Sequence, residues 1–461
     1  MNERVCIIGA GSSGIAAAQV LADRGIDFDC FEAGSEVGGN WRYLNDNGMS
    51  SSYRSLHINT SRQIMEYASY GMDDSYPTYP NHVQIARYFD EFVDHWGLRK
   101  YIQFRTEVTN VVPAAGGGWE VSTRPRGSAE LTTEHYAAVI VANGHHWDAR
   151  MPEPAFPGAE TFTGEQTHSH YYKTFDGFEG KRVLVLGIGN SACDIAVETS
   201  KVSARTFLAM RRGAHVLPKY VFGIPTDHLT TSPLARIRIF PMQRTLLGLT
   251  VRLARGNVVD YGLPAPDHKI ASAHPTISDD LLTRLGHGDI TVKPNIERID
   301  GDTVHFVDGT SEQIDRIVYC TGYKISFPFL DPQLITAPDN QIELYHRVVD
   351  PNHPGLYFVG LVQPLGAIMP LAEAQAGWVA DLLDGTATLP SQGEMQKEIS
   401  GYRRSIAKRY VASKRHTIQV DFLEHLREIK LERAAGARRH GQSRALIKDR
   451  TQVVRPLGNS A

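Results

Sequence analysis

The chain has 461 residues, of which 42% are hydrophobic and 21% are charged, so it is long enough to form two or three globular domains. Its formal net charge of -3 gives no electrostatic reason to expect a nucleic-acid or anionic-membrane partner. The four cysteines, Cys6, Cys30, Cys193 and Cys320, form no CxxC pair, which favours a reducing compartment and argues against a dithiol redox centre. Because the N-terminus runs directly into an apolar segment and leaves no room for a targeting peptide, we expect a cytoplasmic protein.

A glycine-rich motif follows the first predicted strand. The apolar run Val5–Ile8 precedes a predicted helix from Ile15 to Ala22 and a second strand from Phe28 to Phe31. This order is typical of a parallel, doubly wound sheet, in which glycines let the backbone and a helix N-terminus approach a pyrophosphate. A carboxylate at the end of the second strand can accept hydrogen bonds from ribose hydroxyls. The sequence therefore predicts a dinucleotide site formed by Gly9, Gly11, Ser12, Ser13, Gly14 and Glu32.

The same order of elements occurs a second time further along the chain. A helical pattern spans Val83 to Trp96, and the first unit reaches another buried strand at Ala138–Val141. A strand then restarts at Val183, and the repeat closes with the apolar run Ile317–Gly322. We predict an α/β fold with two Rossmann-like dinucleotide-binding domains, one inserted into the other. The outer domain comprises residues 1–150 and 325–461, and the inner domain comprises residues 151–324 with an insertion at about 222–263.

The second glycine motif differs from the first in the residue that would meet the ribose. The position equivalent to Glu32 is Met210, and Arg211 and Arg212 follow it. No acid is present there to repel a 2′-phosphate, and two guanidinium groups can bind one. The sequence therefore predicts NADPH rather than NADH at a second site formed by Gly187, Gly189, Asn190, Ser191, Arg211 and Arg212.

A motif between the two glycine loops is more specific than either of them. Residues 162–172 match the pattern F-x-G-x-x-x-H-x-x-x-Y. In a chain of this composition GxGxxG is expected by chance about 0.3 times, and this longer motif about 0.003 times. With this motif the chain resembles the class B flavoprotein monooxygenases of the flavin-containing monooxygenase family.

Further segments carry the same resemblance. The stretch from Gly38 to Trp41 resembles the family's flavin-side loop, Leu56–Ser61 its active-site segment, and Tyr357–Pro364 its closing flavin loop. The related Baeyer–Villiger enzymes usually have Trp where this chain has Tyr172. The resemblance implies that FAD binds the outer domain and NADPH the inner one. It adds these flavin contacts to the first glycine motif: Gly39, Asn40, Trp41, His57, Asn59, Val108 and Gln363.

The resemblance also implies a reaction. NADPH reduces FAD, and the reduced flavin forms a C4a-hydroperoxide with O2 that bound NADP⁺ stabilises. This species gives one oxygen atom to a soft nucleophile, an amine nitrogen or a sulfide sulfur. Asn59 matches the family's active-site asparagine, although it could also be a loop-capping side chain. We expect His168 and Tyr172 to act in domain geometry rather than in proton transfer, and a homodimer follows from the resemblance alone.

Several alternatives remain open from the sequence. A Baeyer–Villiger oxygenase acting on ketones and a non-catalytic flavin or NADPH sensor share the same plan, as does a disulfide reductase, which the isolated cysteines disfavour. The pairs His145/His146 and His168/His170 have no supporting carboxylates or cysteines, so we predict no metal site. The uncharged stretch from Gly355 to Ala372 is interrupted by glycines and prolines, which predicts a buried strand and a cofactor loop rather than a membrane span. Substrate specificity is expected in the insertion and in the aromatic stretch from Tyr53 to Tyr79.

Overall fold

The computed structural model describes residues 4–231, 240–270, 272–273, 275–409 and 417–441. The described chain divides into two compact units. The first unit is drawn from residues 1–52, 56–148 and 324–461, and the second from Tyr53–Ser55 and Ala149–Tyr323. The sequence predicted crossings near residues 150 and 324, but it gave no indication that Tyr53–Ser55 belongs to the second unit.

The strands and helices are numbered in chain order. The strands are β1 (Val5–Ile8), β2 (Phe28–Phe31), β3 (Ile102–Gln103), β4 (Thr106–Pro113), β5 (Trp119–Pro125), β6 (Thr132–Tyr136), β7 (Ala138–Val141), β8 (Asp148–Ala149), β9 (Glu165–His168), β10 (Arg182–Leu186), β11 (Arg205–Ala209), β12 (Val216–Leu217), β13 (Tyr220–Val221), β14 (Ile224–Pro225), β15 (Thr276–Ile277), β16 (Ile290–Lys293), β17 (Ile296–Asp300), β18 (Thr303–Phe306), β19 (Ser311–Gln313), β20 (Arg316–Tyr319), β21 (Tyr323–Lys324), β22 (Leu356–Phe358), β23 (Gln363–Leu365) and β24 (Gln419–Asp421). The helices are α1 (Ser12–Asp23), α2 (Arg62–Met65), α3 (His82–His95), α4 (Asn190–Thr199), α5 (Thr226–Thr231), α6 (Phe240–Arg255), α7 (Asp280–His287), α8 (Met369–Leu383), α9 (Gln392–Arg409) and α10 (Phe422–Arg439).

A five-stranded sheet in the order β22-β7-β1-β2-β3 forms the core of the first unit. All its neighbouring strands are parallel, and Ile7 of β1 lies opposite Cys30 of β2 and Ile140 of β7. These apolar runs are buried on both faces, as parallel strands require. The sequence predictions for β1, β2 and β7 are confirmed to the residue, and the predicted doubly wound α/β fold is confirmed with them.

The aromatic stretch between the first glycine motif and α3 packs into the interior of the first unit. Tyr67 is 1% exposed, and its ring lies 4.5 Å from that of Phe92 and 5.8 Å from that of Tyr88. Tyr76 and Tyr79 are also buried. These three tyrosines are part of the hydrophobic core of the first unit, and the expectation that the stretch contributes to substrate specificity stays a prediction.

The second unit is built around another five-stranded parallel sheet, in the order β16-β11-β10-β20-β9. The specific motif of residues 162–172 supplies the edge strand β9, in which His168 pairs with Tyr319 of β20. Within the predicted insertion, β14, α5 and α6 are described, whereas residues 232–239 lie outside the described residues.

The uncharged stretch Gly355–Ala372 forms β22, β23 and the start of α8. This confirms the prediction of a buried strand followed by a loop. Among the helices that the structure describes, none has the length and apolar character needed to cross a membrane.

Candidate active site

The first glycine motif turns the chain from β1 into α1 at the carboxyl edge of the sheet. A Cβ atom built on Gly14 would lie 1.8 Å from the carbonyl oxygen of Gly9, so the helix can approach the turn only because residue 14 is glycine. Gly11 caps α1 and has no side chain to occupy the first-turn N–H groups. Those N–H groups, at Ser12 and Ser13, form the kind of helix N-terminus that binds a phosphate.

Glu32 closes this site from the end of β2. It is 4% exposed, and its carboxylate accepts hydrogen bonds from Ala10 N at 2.8 Å, Gly34 N at 2.7 Å and Asn47 Nδ2 at 3.2 Å. Burial raises the pKa of Glu32 above its usual value, and the backbone N–H groups of Ala10 and Gly34 oppose that rise. A carboxylate has about four acceptor positions, so one remains for a ribose hydroxyl. Thr106 N donates to Glu32 O at 2.9 Å, which places Val108 two residues beyond this contact on β4.

The loop from Gly38 to Trp41 is attached to the glycine turn. Gly38 N donates to Ala10 O at 2.9 Å, and a Cβ atom on Gly39 would lie 3.0 Å from Gly11 Cα. The backbones of the two loops thus approach each other closely with no side chain between them. Asn40 Oδ1 accepts from both the backbone N and the hydroxyl of Ser51, so Asn40 holds its own loop in place. These bonds give it a structural task beside the predicted cofactor contact.

The segment that contains Asn59 is fixed on both sides within the first unit. Ile58 N donates to Pro80 O at 3.0 Å, and the backbone of His57 bridges that of Asn81. Thr60 Oγ1 lies 3.5 Å from Gly366 O, just beyond the strand that begins at Gln363. Asn59 is partly exposed and His57 is exposed. The structure therefore brings the predicted residues Asn59 and Gln363 onto two segments that contact each other.

The second glycine motif turns from β10 into α4 in the second unit. Gly189 caps α4, and Ala192, which is fully buried, occupies the position equivalent to Gly14. Asn190 Oδ1 accepts from Ile277 N at 2.8 Å, and Thr276 Oγ1 donates to Ile188 O at 2.6 Å. Asn190 thus anchors β15 to the loop, a role that its position in the motif did not predict. Ser191 lies in the first turn of α4.

The two arginines after β11 differ in their surroundings. Met210, which directly follows β11, is 3% exposed, whereas Arg211 is exposed. Arg212 NH1 lies 4.0 Å from Asp267 Oδ2, a partner that the sequence did not indicate. The Arg212 guanidinium helps to hold the pKa of Asp267 below its usual value, after the larger effect of the hydrogen bond from His268. Arg211 is therefore the more exposed of the two residues.

The residues of the specific motif lie inside the second unit. His168 is 1% exposed, and burial lowers its pKa to about 4, so it is neutral at ordinary pH. The Tyr172 hydroxyl donates to the buried Glu198 at 2.6 Å, a hydrogen bond that Trp at this position could not make in the same way. The expected role of the two residues in domain geometry rather than in proton transfer stays a prediction.

Sequence reasoning missed a second buried tyrosine–carboxylate pair in this unit. The Tyr53 hydroxyl donates to Asp194 of α4, and Arg54 N donates to Lys173 O at 2.8 Å. Burial raises the pKa of Asp194 to about 6, against the hydrogen bond from Tyr53. These contacts explain why Tyr53–Ser55 belongs to the second unit, although the residues on both sides belong to the first.

Within the ranges that the structure describes, no group of three or more His, Cys, Asp or Glu side chains is arranged to hold a metal ion. The cysteines Cys6, Cys30 and Cys193 are buried, and burial raises the pKa of Cys30 and Cys6 well above the usual thiol value. The thiols of Cys6 and Cys30 are therefore protonated at neutral pH and unsuited to nucleophilic or redox chemistry.

A family model described as FMO-like, flavin-binding monooxygenase-like, matches residues 2–440. The chain belongs to this family. Flavin-containing monooxygenase 5 of Oryctolagus cuniculus is 39% identical over 440 residues, which are 93% of this chain and 82% of that relative. The dimethylaniline monooxygenase [N-oxide-forming] 2 of Mus musculus is 36% identical over 449 residues, covering 94% of this chain and 83% of the relative. The solved structure of the S-allyl-L-cysteine S-oxygenase from Allium sativum matches with a TM-score of 0.70 at 25% identity, over 95% of this chain and 89% of that one.

Membership of the flavin-binding monooxygenases confirms the resemblance drawn from the residue 162–172 motif. The chain is a flavin-dependent monooxygenase, and the predicted cofactors FAD and NADPH are those of its enzyme class. The geometry of each glycine turn is compatible with a bound dinucleotide. In each turn the helix N-terminus is capped by a glycine, so no side chain covers the N–H groups that would bind the pyrophosphate.

Proposed function

We propose that this monooxygenase uses NADPH and FAD to insert one atom of O2 into an amine nitrogen or a sulfide sulfur. The observation that carries the proposal is the difference between the two dinucleotide motifs: the first is completed by Glu32, and the second by Arg211 and Arg212. The proteins similar to this chain include an N-oxide-forming and an S-oxygenating enzyme. Two different dinucleotides are needed when one supplies electrons and the other uses them on a substrate.

The first unit is proposed to hold FAD. The pyrophosphate would lie on the N-terminus of α1, the adenosine ribose at Glu32, and the flavin beside the loops that face Gly11 and Asn59. The proposed FAD-contacting residues are Gly9, Gly11, Ser12, Ser13, Gly14, Glu32, Gly39, Asn40, Trp41, His57, Asn59, Val108 and Gln363.

The second unit is proposed to hold NADPH. Its pyrophosphate would lie on the N-terminus of α4, and the 2′-phosphate would meet the guanidinium of Arg211, with Arg212 shared with Asp267. The proposed NADPH-contacting residues are Gly187, Gly189, Asn190, Ser191, Arg211 and Arg212.

When bound, the flavin supplies the redox chemistry, passing electrons from NADPH to O2 so that one oxygen atom enters the substrate and the other leaves as water. The side chains of this chain exclude water and hold the reacting groups in position. Asn59 suits such a site because its amide can donate and accept hydrogen bonds but supplies no acidic proton. The segments that carry Asn59 and Gln363 contact each other where Thr60 Oγ1 lies 3.5 Å from Gly366 O.

The test is a substrate panel with the full-length chain, NADPH and O2. We expect a thioether and N,N-dimethylaniline to accelerate NADPH oxidation and to yield the sulfoxide and the N-oxide. A cyclic ketone should give little or no lactone. Lactone as the main product would instead establish a Baeyer–Villiger oxygenase. If no compound stimulated NADPH oxidation, the chain would be a redox sensor or an oxidase.

Replacement of Asn59 should uncouple the reaction without removing the flavin. In Asn59→Ala we expect the ratio of oxygenated product to NADPH consumed to fall about tenfold, equivalent to about 1.4 kcal/mol, with hydrogen peroxide rising in its place. Flavin content should stay at the wild-type level, because the binding turn is untouched. The matched control is Asn110→Ala, an exposed asparagine on β4, which should leave the ratio unchanged. Unchanged coupling in Asn59→Ala would remove Asn59 from the mechanism.

A further inference from the structure

The loop from Gly360 to Gly366 follows β22 at the same sheet edge as the first glycine turn. A Cβ atom on Gly360 would lie 1.9 Å from Ser13 Oγ, so this backbone lies directly against the first turn of α1. At the other end of the loop, a Cβ atom on Gly366 would lie 2.8 Å from the Cβ of Phe422. Between them, Gln363 N donates to Ile418 O at 2.8 Å. The loop is therefore packed between the N-terminus of α1 and the segment of β24 and α10.

A line of buried hydrogen bonds runs from this loop into the C-terminal helices. Gly360 N donates to Gln375 Oε1 at 2.8 Å, and Gln375 Nε2 lies 3.1 Å from His425 Nε2. His425 Nδ1 lies 3.2 Å from Glu428 Oε2, which also accepts from Arg347 NH2 at 2.6 Å. Gln375 is 0% exposed and His425 is 1% exposed, so no water can replace a missing partner.

The direction of each bond in this line follows from its first member. Gly360 N–H can only donate, so the amide atom facing it is the oxygen of Gln375, and the NH2 group faces His425. His425 Nε2 must then accept, which places the ring proton on Nδ1, where it donates to Glu428. The neutral Nδ1–H form of His425 is thus the form that keeps the Gln375 oxygen on Gly360.

A second proton on His425 would reverse this arrangement. Nε2–H would then face the NH2 group of Gln375, donor against donor. Rotation of the amide would relieve that contact only by turning NH2 towards Gly360 N–H. In either case a buried N–H group loses its acceptor, and after the rotation that group is the Gly360 N–H, which holds the loop beside Ser13.

Arg347 fixes the far end of the line. It is 5% exposed, with its NH1 3.1 Å from Glu398 Oε1 and its guanidinium 3.9 Å from the centre of the Tyr402 ring. Its φ of 63° and that of His346, 43°, lie in the left-handed region that disfavours side chains. Strained backbone persists where the surrounding contacts impose it, and here these contacts place a cation beside Glu428. That cation keeps Glu428 ionised and able to accept the proton of His425.

We propose that Gln375 and His425 are positioning residues of the flavin site, which hold the Gly360 N–H and hence the closing loop against α1 through the direction of their hydrogen bonds. The inference rests on the proposed function, because it places FAD in the first unit. Neither residue is proposed to touch the cofactor.

The groups around His425 determine at which pH it takes up a second proton and the hydrogen bonds from Gly360 to Glu428 change. The titratable and charged groups around it are Glu428 on α10, Arg347 and His346 from the loop before β22, and Glu398 and Tyr402 from α9. Burial lowers the pKa of His425 to about 4 and that of His346 to about 3. Both rings are therefore neutral above about pH 6, and the wild-type line is unchanged between about pH 6 and pH 9.

The test is the FAD dissociation constant of the full-length chain, measured from the fluorescence of free flavin at about pH 6 and pH 9. Gln375→Leu leaves Gly360 N–H without an acceptor and should weaken FAD binding about tenfold at both pH values. Gln375→Glu restores the acceptor, but its carboxylate needs an N–H on His425 Nε2. In this variant the new carboxylate beside Nε2 raises the pKa of His425 above its wild-type value, so FAD binding should be near wild type at about pH 6 and about tenfold weaker at pH 9. Wild type should change less than about threefold over the same range.

The matched control is His353→Phe, which removes another histidine of the first unit paired with a carboxylate three residues away, Asp350 at 2.8 Å. It should lower the melting temperature and leave FAD affinity unchanged. If Gln375→Glu follows the flat pH profile of the wild type, or if Gln375→Leu affects FAD binding no more than the control, the inference is overturned and the proposed function stands. Wild-type protein that binds no FAD would overturn both.

Discussion

Gly14→Ala should yield a chain that purifies without FAD. The added Cβ would lie 1.8 Å from Gly9 O and 2.8 Å from Gly9 C, both backbone atoms that no side-chain rotation can move. Helix α1 must therefore shift away from the turn, and its first N–H groups leave the position where a pyrophosphate would bind. Overpacking of this kind costs about 1–3 kcal/mol or more, so the melting temperature should fall as well. Flavin absorbance per chain and a thermal melt measure both effects.

Gly401→Ala is the matched control for this substitution. Gly401 lies inside α9, and a Cβ atom there would meet nothing within 4 Å. Alanine has the higher helix propensity, so this variant should gain about 0.5–1 kcal/mol and keep its flavin. Wild-type flavin content in Gly14→Ala would show that α1 does not carry the phosphate site.

Neutralising both arginines after β11 should change coenzyme preference. In Arg211→Gln/Arg212→Gln we expect KM for NADPH to rise about a hundredfold and KM for NADH by less than about threefold. Each charge-assisted hydrogen bond to a phosphate is worth about 1.5–3 kcal/mol, and NADH has no 2′-phosphate to lose them. Steady-state kinetics with the two coenzymes measures the difference. Equal increases for both would contradict the proposed 2′-phosphate site.

The two single substitutions separate the roles of these residues. Arg211→Gln should have the larger effect, because Arg211 is exposed and Arg212 is shared with Asp267 at 4.0 Å. Asp267→Asn serves as the control, since it removes the competing carboxylate and leaves both guanidinium groups. It should lower KM for NADPH or leave it unchanged. A larger effect of Arg212→Gln than of Arg211→Gln would reverse the assignment.

The sequence predicted those parts of the structure that local patterns specify. The apolar runs of β1, β2 and β7 have the observed bounds, and α3 begins one residue before its predicted start. Buried parallel strands and amphipathic helices carry their own periodicity, which depends only on neighbouring residues. The same holds for the Gly9–Gly14 turn, whose spacing follows from the geometry of a single strand, turn and helix.

Features that depend on distant contacts could not be predicted in this way. Strand β9 has the polar sequence Glu-Gln-Thr-His and is a strand because it pairs with β20, far along the chain. The position of Asp267 beside Arg212 and the line from Gly360 to His425 likewise join residues with no common local pattern. In the candidate site, residue types in the two glycine turns were therefore accessible from the sequence, whereas the partners of Asn40, Asn190 and Gln375 were not.

The order in which the chain is synthesised bears on how it folds. Strand β22 pairs with β7, and α8 packs on α1, so the first unit lacks an edge strand and a covering helix until residues beyond 356 have been made. The intervening residues, which include almost all of the second unit, take about 10–40 s to translate at typical rates of 5–20 residues per second. During that time Val139 and Ile140 expose an unpaired, apolar strand edge, which is the kind of surface that chaperones cover. Chaperone supply should therefore affect the expression yield more strongly than it affects the stability of the folded enzyme.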